Sequence, residues 1–216
     1  MVLVKNLPVA SGIGGGSSDA AAALRALARH WNIAKNDPRL RDVAAKLGQD
    51  VLSCLTVENN YLTPEGTASA PALPYADCLL VNPGKPLPTP SVYKACRESG
   101  AAFSSPAQLS GPPRDLPNLV AELRARHNDL YEPACRLLPE IRGVIAAIEK
   151  TGCLLARMSG SGATCFGLYA SRSAMQAAAR ALQTEHPGWW LGQAYIPYSS
   201  PLEGEDSFSW RAAGEP

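Results

Sequence analysis

Three observations predict an α+β protein: a glycine-rich loop runs straight into an alanine-rich helix, strand and helix signals alternate through the later two thirds, and the composition suits a packed core. The 216 residues are 46% hydrophobic and 18% charged, which excludes wholesale disorder. Gly and Pro number 18 and 19, so loops take a large share of the chain. The 20 basic and 19 acidic residues leave a net charge of +1, without the clustered basic surface that nucleic-acid binding needs. A membrane span needs ~20 mostly apolar residues. The best candidates break early, at Arg25 in the alanine run and at Glu149 after Val144–Ile148. Lys5, Asn6 and Pro8 interrupt any apolar signal segment, so a cytoplasmic protein is expected.

The elements follow from spacing. Ser18 to Trp31 places Ala20, Ala23, Leu24, Leu27, Ala28 and Trp31 on one helical face. Asp37 and Pro38 start a second helix as N-cap and first-turn proline, and Gly48 stops it. Asn59 to Pro74 reads as a loop. Cys78–Asn82 reads as a buried strand ending at Pro83-Gly84, and Thr89-Pro90 opens a short helix. Ser99 to Leu116 is rich in Ser, Pro and Gly and reads as a long loop. Leu119–Arg126 and the run Ile141, Val144, Ile145, Ile148 are helical, the latter closed by Gly152. Cys153–Met158 and Ala163–Tyr169 are strands joined by a tight Ser-Gly-Ser-Gly turn. Ser171–Gln183 is a helix with Met175, Ala178, Ala179 and Leu182 on one face, and Trp189–Ile196 is a last strand. This order is the split βαβ arrangement of ferredoxin-like domains.

The six cysteines stand no closer than twelve positions apart, with no histidine at ligand spacing. No zinc site is expected, and buried free thiols in a reducing compartment are.

The segment Pro8-Val9-Ala10-Ser11-Gly12-Ile13-Gly14-Gly15-Gly16-Ser17-Ser18-Asp19 carries the chemistry. Four glycines in five positions let the backbone turn tightly and present N–H groups without obstruction. The helix that follows adds unpaired N–H groups and a positive dipole end, worth ~0.3–1 kcal/mol for one charge. Together these suit a polyphosphate, and the Ser17 and Ser18 hydroxyls could reach phosphate oxygens or a metal ion. Asp19 could satisfy the helix terminus or help hold Mg²⁺. The loop is not a Walker A motif, since no Gly-Lys-[Ser/Thr] follows. Nor is it a dinucleotide fingerprint or a nucleophile elbow, since Ser17 and Asp19 occupy glycine places.

This loop resembles the phosphate loop of the GHMP kinases, Pro-x-x-x-Gly-[Leu/Ile]-Gly-x-x-Ser-Ser. The fuller string from Gly14 to Leu24 is similar to the branch that acts on cytidine diphosphate methylerythritol in non-mevalonate isoprenoid synthesis. Leu47-Gly48-Gln49-Asp50-Val51 resembles the family's Leu-Gly-Ala-Asp-Val-Pro, and Arg157 to Thr164 resembles its third motif. Val81–Gly84, Pro88–Pro90 and Asn128-Asp129-Leu130 agree with the same branch.

The resemblance implies a two-domain architecture: residues 1–76 as the remainder of an N-terminal domain with the phosphate loop, 77–197 as a ferredoxin-like C-terminal domain, and 198–216 as a polar tail. It implies an ATP- and Mg²⁺-dependent kinase with a small-molecule acceptor. Pro8, Gly12, Gly14, Gly15, Gly16, Ser17 and Ser18 would bind the nucleotide phosphates, with Ser18 also a metal ligand. Gly160, Ser161 and Gly162 would close over the triphosphate or brace the first loop. Asp50 would take the proton of the acceptor hydroxyl; a carboxylate is a weak base, which suits a reaction carried by positioning and charge stabilisation.

Leu52 stands where the family has proline, and Tyr61–Gly66 departs from Met-x-Gly-x-Gly-Glu. Two family segments that precede the loop, one bringing a lysine to the catalytic aspartate and one gripping the cytidine end, have no counterpart. Lys5 lies too close to the loop to supply that lysine. Leading strands are therefore expected to be absent, and poor solubility to follow. The alternative function is a non-catalytic nucleotide-binding remnant or a partner of another such kinase.

Overall fold

A computed structural model describes residues 2–9, 11–63, 66–105 and 108–197; the tail 198–216 lies outside them. The first part is helical: α1 (Gly15–His30), α2 (Pro38–Leu47) and α3 (Gln49–Thr56), followed by a hairpin of β1 (Asn60–Thr63) and β2 (Gly66–Ser69). The second part runs β3 (Ala76–Asn82), α4 (Thr89–Glu98), α5 (Leu116–Arg124), α6 (Tyr131–Leu137), α7 (Glu140–Lys150), β4 (Leu155–Met158), β5 (Cys165–Tyr169), α8 (Arg172–Glu185) and β6 (Trp190–Ile196).

The last four strands form one antiparallel sheet in the order β4-β5-β3-β6. With helices between β3 and β4 and between β5 and β6, this is the split βαβ topology expected from the sequence. Strand geometry sends alternate residues to opposite faces. Leu79, Val81, Ala156, Met158, Cys165 and Tyr169 meet residues of α4, α6, α7 and α8, including Val92, Ala134, Ile148 and Met175. Ala76, Cys78, Leu155 and Leu168 face the other way and meet Val120 of α5. A strand covered on both faces reads as a continuous apolar run rather than an alternation, which is why Cys78-Leu79-Leu80-Val81 was legible as buried.

A smaller core holds the first part together. Ala21 of α1, Ala44 of α2 and Val51 of α3 are its buried members, and Arg25 Nη1 adds a 2.6 Å hydrogen bond to the Cys54 carbonyl.

Several features differ from the sequence reading, among them α5, which begins at Leu116 rather than Leu119, and β4, which begins at Leu155 rather than Cys153. Helix α1 starts at Gly15 rather than Ser18. Residues after Gly48 form a further helix, α3, because Gly48 at φ 149° both ends α2 and caps α3. A single glycine serving two helices reads in sequence only as a stop. The expected loop from Asn59 to Pro74 contains the β1–β2 hairpin, whose four-residue strands are too short to show alternation. Helix α6, of seven residues and with Pro133 inside it, was also not anticipated.

All six cysteines are free, as expected. Burial pushes the Cys165 thiol up to about 12 and the Cys78 thiol up to about 11. A thiol reagent applied to the folded chain at pH 8 should therefore modify only the half-buried Cys54 and Cys153, with Cys78, Cys96, Cys135 and Cys165 reacting on unfolding. Mass mapping of the modified sites checks this; early labelling of any of the four buried thiols would contradict the packing described.

Candidate active site

The glycine-rich loop enters α1 through Gly14, which takes the left-handed conformation (φ 67°, ψ 17°) with no side-chain cap. A left-handed residue directly before a helix costs a glycine little and most other residues much more. The first bond of the helix is Ser18 N–H to the Gly14 carbonyl at 2.8 Å. The N–H groups of Gly15, Gly16 and Ser17 have no acceptor among the described residues. A Cβ placed at Gly14 or Gly16 would meet nothing within 4 Å, whereas one at Gly15 would lie 3.1 Å from Leu7 Cδ1. Ser17 is half-buried and Ser18 exposed beside them, and Pro8 is half-buried in the segment leading in. Unpaired donors at the positive end of a 16-residue helix make an anion site.

The loop does not stand alone. It rests on the turn between β4 and β5. Ser159 Oγ donates to the Gly12 carbonyl at 2.9 Å, and Thr164 N–H donates to the Ser11 carbonyl at 3.1 Å. A Cβ on Gly12 (φ 72°) would lie 2.3 Å from the Gly162 carbonyl oxygen, and one on Gly160 would lie 3.2 Å from the Gly12 carbonyl oxygen. The two glycine segments meet backbone to backbone. Gly162 N–H folds back to the Ser159 carbonyl at 2.9 Å, while the N–H groups of Gly160 and Ser161 find no acceptor among the described residues. Ser161 is buried, and its hydroxyl pairs with Thr89 Oγ1 at 2.8 Å at the start of α4. Its side chain thus anchors the turn, leaving its N–H as the group available to a ligand.

Two asparagines hold this turn from behind. Asn82 Nδ2, at the end of β3, donates to Thr164 Oγ1 at 2.9 Å, and both side chains are buried. Asn82 Oδ1 accepts from Gly84 N–H at 2.9 Å. Asn128 Nδ2 donates to the Gly160 carbonyl at 2.8 Å and to the Met158 carbonyl at 3.2 Å. Ser11, Asn82, Asn128, Ser159 and Thr164 were not singled out as site residues from the sequence. The available signal was polar residues at the ends of apolar strands, beside glycine turns.

Asp50 sits in the first turn of α3, exposed, and makes no hydrogen bond or ion pair among the described residues. Its neighbour Val51 is buried against Ala21, so the small core fixes α3 beside α1. Asp19, in the second turn of α1, pairs with Lys5 Nζ at 2.5 Å. Asp19 therefore does not serve the helix terminus, and Lys5 is engaged away from Asp50. The structure thus brings Gly12 together with Gly160 and Gly162, and sets Gly14–Ser18 just beyond. Asp50 is held through α3 rather than by contact with either loop.

The comparisons with known proteins agree with this geometry. A family profile described as GHMP kinases N terminal domain matches residues 1–56, and one described as GHMP kinases C terminal matches residues 114–188. A protein of Parvibaculum lavamentivorans named 4-diphosphocytidyl-2-C-methyl-D-erythritol kinase is 51% identical over 196 residues, covering 88% of this chain and 67% of its own length. A protein of the same name from Paramagnetospirillum magneticum is 49% identical, covering 90% and 68%. The crystal structure of a 4-(cytidine 5'-diphospho)-2C-methyl-D-erythritol kinase matches with a TM-score of 0.67 and 32% identity, over 88% of this chain and 68% of that one.

The close approach of the two loops yields a paired prediction. Gly12→Ala drives a methyl into the Gly162 carbonyl and should lower stability by at least ~1–3 kcal/mol. Gly16→Ala, helical and facing open space, should leave stability unchanged or raise it by ~0.5–1 kcal/mol. Urea unfolding of the two variants checks both; equal effects would mean that the loops do not touch as described.

Proposed function

The chain belongs to the GHMP kinases, and from that premise we propose that it transfers the γ-phosphoryl group of ATP to the 2-hydroxyl of 4-diphosphocytidyl-2-C-methyl-D-erythritol, a step of non-mevalonate isoprenoid synthesis. The observation that carries the kinase reading is the pair of glycine loops packed backbone to backbone, with free N–H groups at the start of α1 and others in the facing turn. The acceptor is supported by identities of 51% and 49% to kinases named for it.

In this reading the N–H groups of Gly15, Gly16 and Ser17 hold phosphate oxygens, and those of Gly160 and Ser161 approach from the facing turn. Fixed backbone dipoles stabilise the charge of the transferring group without reorganising. The acceptor oxygen attacks the γ-phosphorus, the bond from that phosphorus to the bridging oxygen breaks, and ADP leaves. Asp50 orients the hydroxyl and takes its proton. Where Mg²⁺ accompanies the nucleotide, the exposed Ser18 hydroxyl would be the chain's own ligand to it. No group of three or more His, Cys, Asp or Glu among the described residues forms a separate metal centre. When bound, the ion neutralises phosphate charge.

No helix among the described residues is long and apolar enough to cross a membrane. A cytoplasmic location is supported by six free cysteines, which suit a reducing compartment.

A second reading is a chain that binds the nucleotide without transferring phosphate. It is favoured by Lys5 being paired with Asp19, which leaves Asp50 without a cationic neighbour among the described contacts. Asp50→Asn separates the two. Under the kinase reading it should lower turnover by ~10²–10⁴-fold while nucleotide affinity holds. Coupled ADP release and calorimetry with a non-hydrolysable ATP analogue check this. Unchanged turnover in the variant would contradict the role of Asp50, and nucleotide binding without ADP release from the parent chain would establish the second reading.

A further inference from the structure

We infer that Asn128 is a positioning residue for the nucleotide site, setting the spacing between the two glycine loops without touching the ligand. The inference rests on the nucleotide-binding reading of those loops.

Asn128 lies in the connection between α5 and α6. Its Oδ1 accepts from Leu130 N–H at 3.0 Å, and its own carbonyl accepts from Tyr131 N–H at 2.9 Å, so it forms the turn that starts α6. Leu130 is buried in the main core, which ties that turn to a rigid support. The other end of the side chain faces the β4–β5 turn. There the amide donates to the carbonyls of Met158 and Gly160, two positions apart on the strand end and the glycine turn.

Those two bonds fix the carbonyls of Met158 and Gly160, while the Ser161–Thr89 hydroxyl pair and the bonds of Ser159 and Thr164 hold the rest of the turn. Gly160 and Gly162 have no side chains, and both have positive φ, at 51° and 84°. A segment of this kind is mobile unless its backbone groups are pinned. The far side of the same segment bears directly on Gly12 and Ser11. Movement of Gly160 by a few tenths of an ångström therefore changes where the phosphate loop can sit. The connection runs from the core through Leu130 and Asn128 to Gly160, and from there to Gly12 and the free donors of α1.

Two substitutions separate this role from turn formation. Asn128→Asp keeps the oxygen that accepts from Leu130 N–H but replaces the donor with a second acceptor, which repels both carbonyls. Asn128→Ala loses the turn bond and the brace together. If Asn128 serves only to start α6, the Asp variant should match the parent chain in every respect. If it positions the loops, both variants should raise the KM for ATP by about tenfold or more, with kcat at saturating ATP within about threefold.

Hydrogen exchange of the ligand-free chain gives a readout independent of turnover. Thr164 N–H, which bonds across to Ser11, should exchange at least about tenfold faster in Asn128→Asp, while amides of β3 and α7 remain as protected as in the parent chain. Unchanged Thr164 exchange in that variant overturns the inference, as does a KM equal to the parent's. A parent chain that releases no ADP would count against the kinase reading alone, because the exchange comparison still decides the role of Asn128.

Discussion

The contact on which the site depends is between two stretches of bare backbone. Gly12 and Gly162 approach so closely that a single methyl on Gly12 would lie 2.3 Å from a carbonyl oxygen. Interiors are packed densely enough that such a methyl has nowhere to go without moving one of the loops. The glycines of the first loop thus divide by task. Gly12 permits the approach, Gly14 makes the left-handed entry into α1, and Gly16 faces open space. The loop's position is consequently set by the second part of the chain rather than by its own helix.

That second part is built to be stiff where the loop leans on it. The β4–β5 turn joins the edge strand β4 to the inner strand β5 of a four-stranded sheet covered by helices on both faces. Asn82 and Thr164 are buried polar side chains that satisfy one another, and a satisfied buried pair specifies one arrangement because any other leaves a group unpaired. By contrast, Asp50 is placed by a modest core of Ala21, Ala44 and Val51. The unpaired N–H groups of the first loop and the Asp50 carboxylate therefore rest on separate supports, joined through α1.

Much of this was legible in the sequence. The order of β3 to β6 followed from apolar runs ended by Pro83-Gly84, by Gly152 and by the Ser159–Gly162 turn, each a strong local signal. The glycine-rich loop stood out because glycines at that density mark a backbone that must turn tightly or be approached closely, as Gly12 and Gly14 do. What escaped were features in which one residue carries two roles or an element is short. Gly48 ends one helix and starts the next, so α3 and the helical setting of Asp50 were hidden. The strands of the β1–β2 hairpin have four residues each, too few for a period to show. The contact between Gly12 and Gly162 joins positions 150 apart and leaves no local trace. Asn128 and Asn82 were visible only as polar residues in strings resembling a family, and their bonds to Gly160 and Thr164 could be seen only in three dimensions.

The central claim is that the two glycine segments form one floor for a polyphosphate. It is tested most directly by following backbone amide resonances of the ¹⁵N-labelled chain during titration with a non-hydrolysable ATP analogue. The account predicts that Gly15, Gly16 and Ser17 shift together with Gly160 and Ser161, along a single binding curve. Shifts confined to one loop, or centred on residues remote from both, would contradict it.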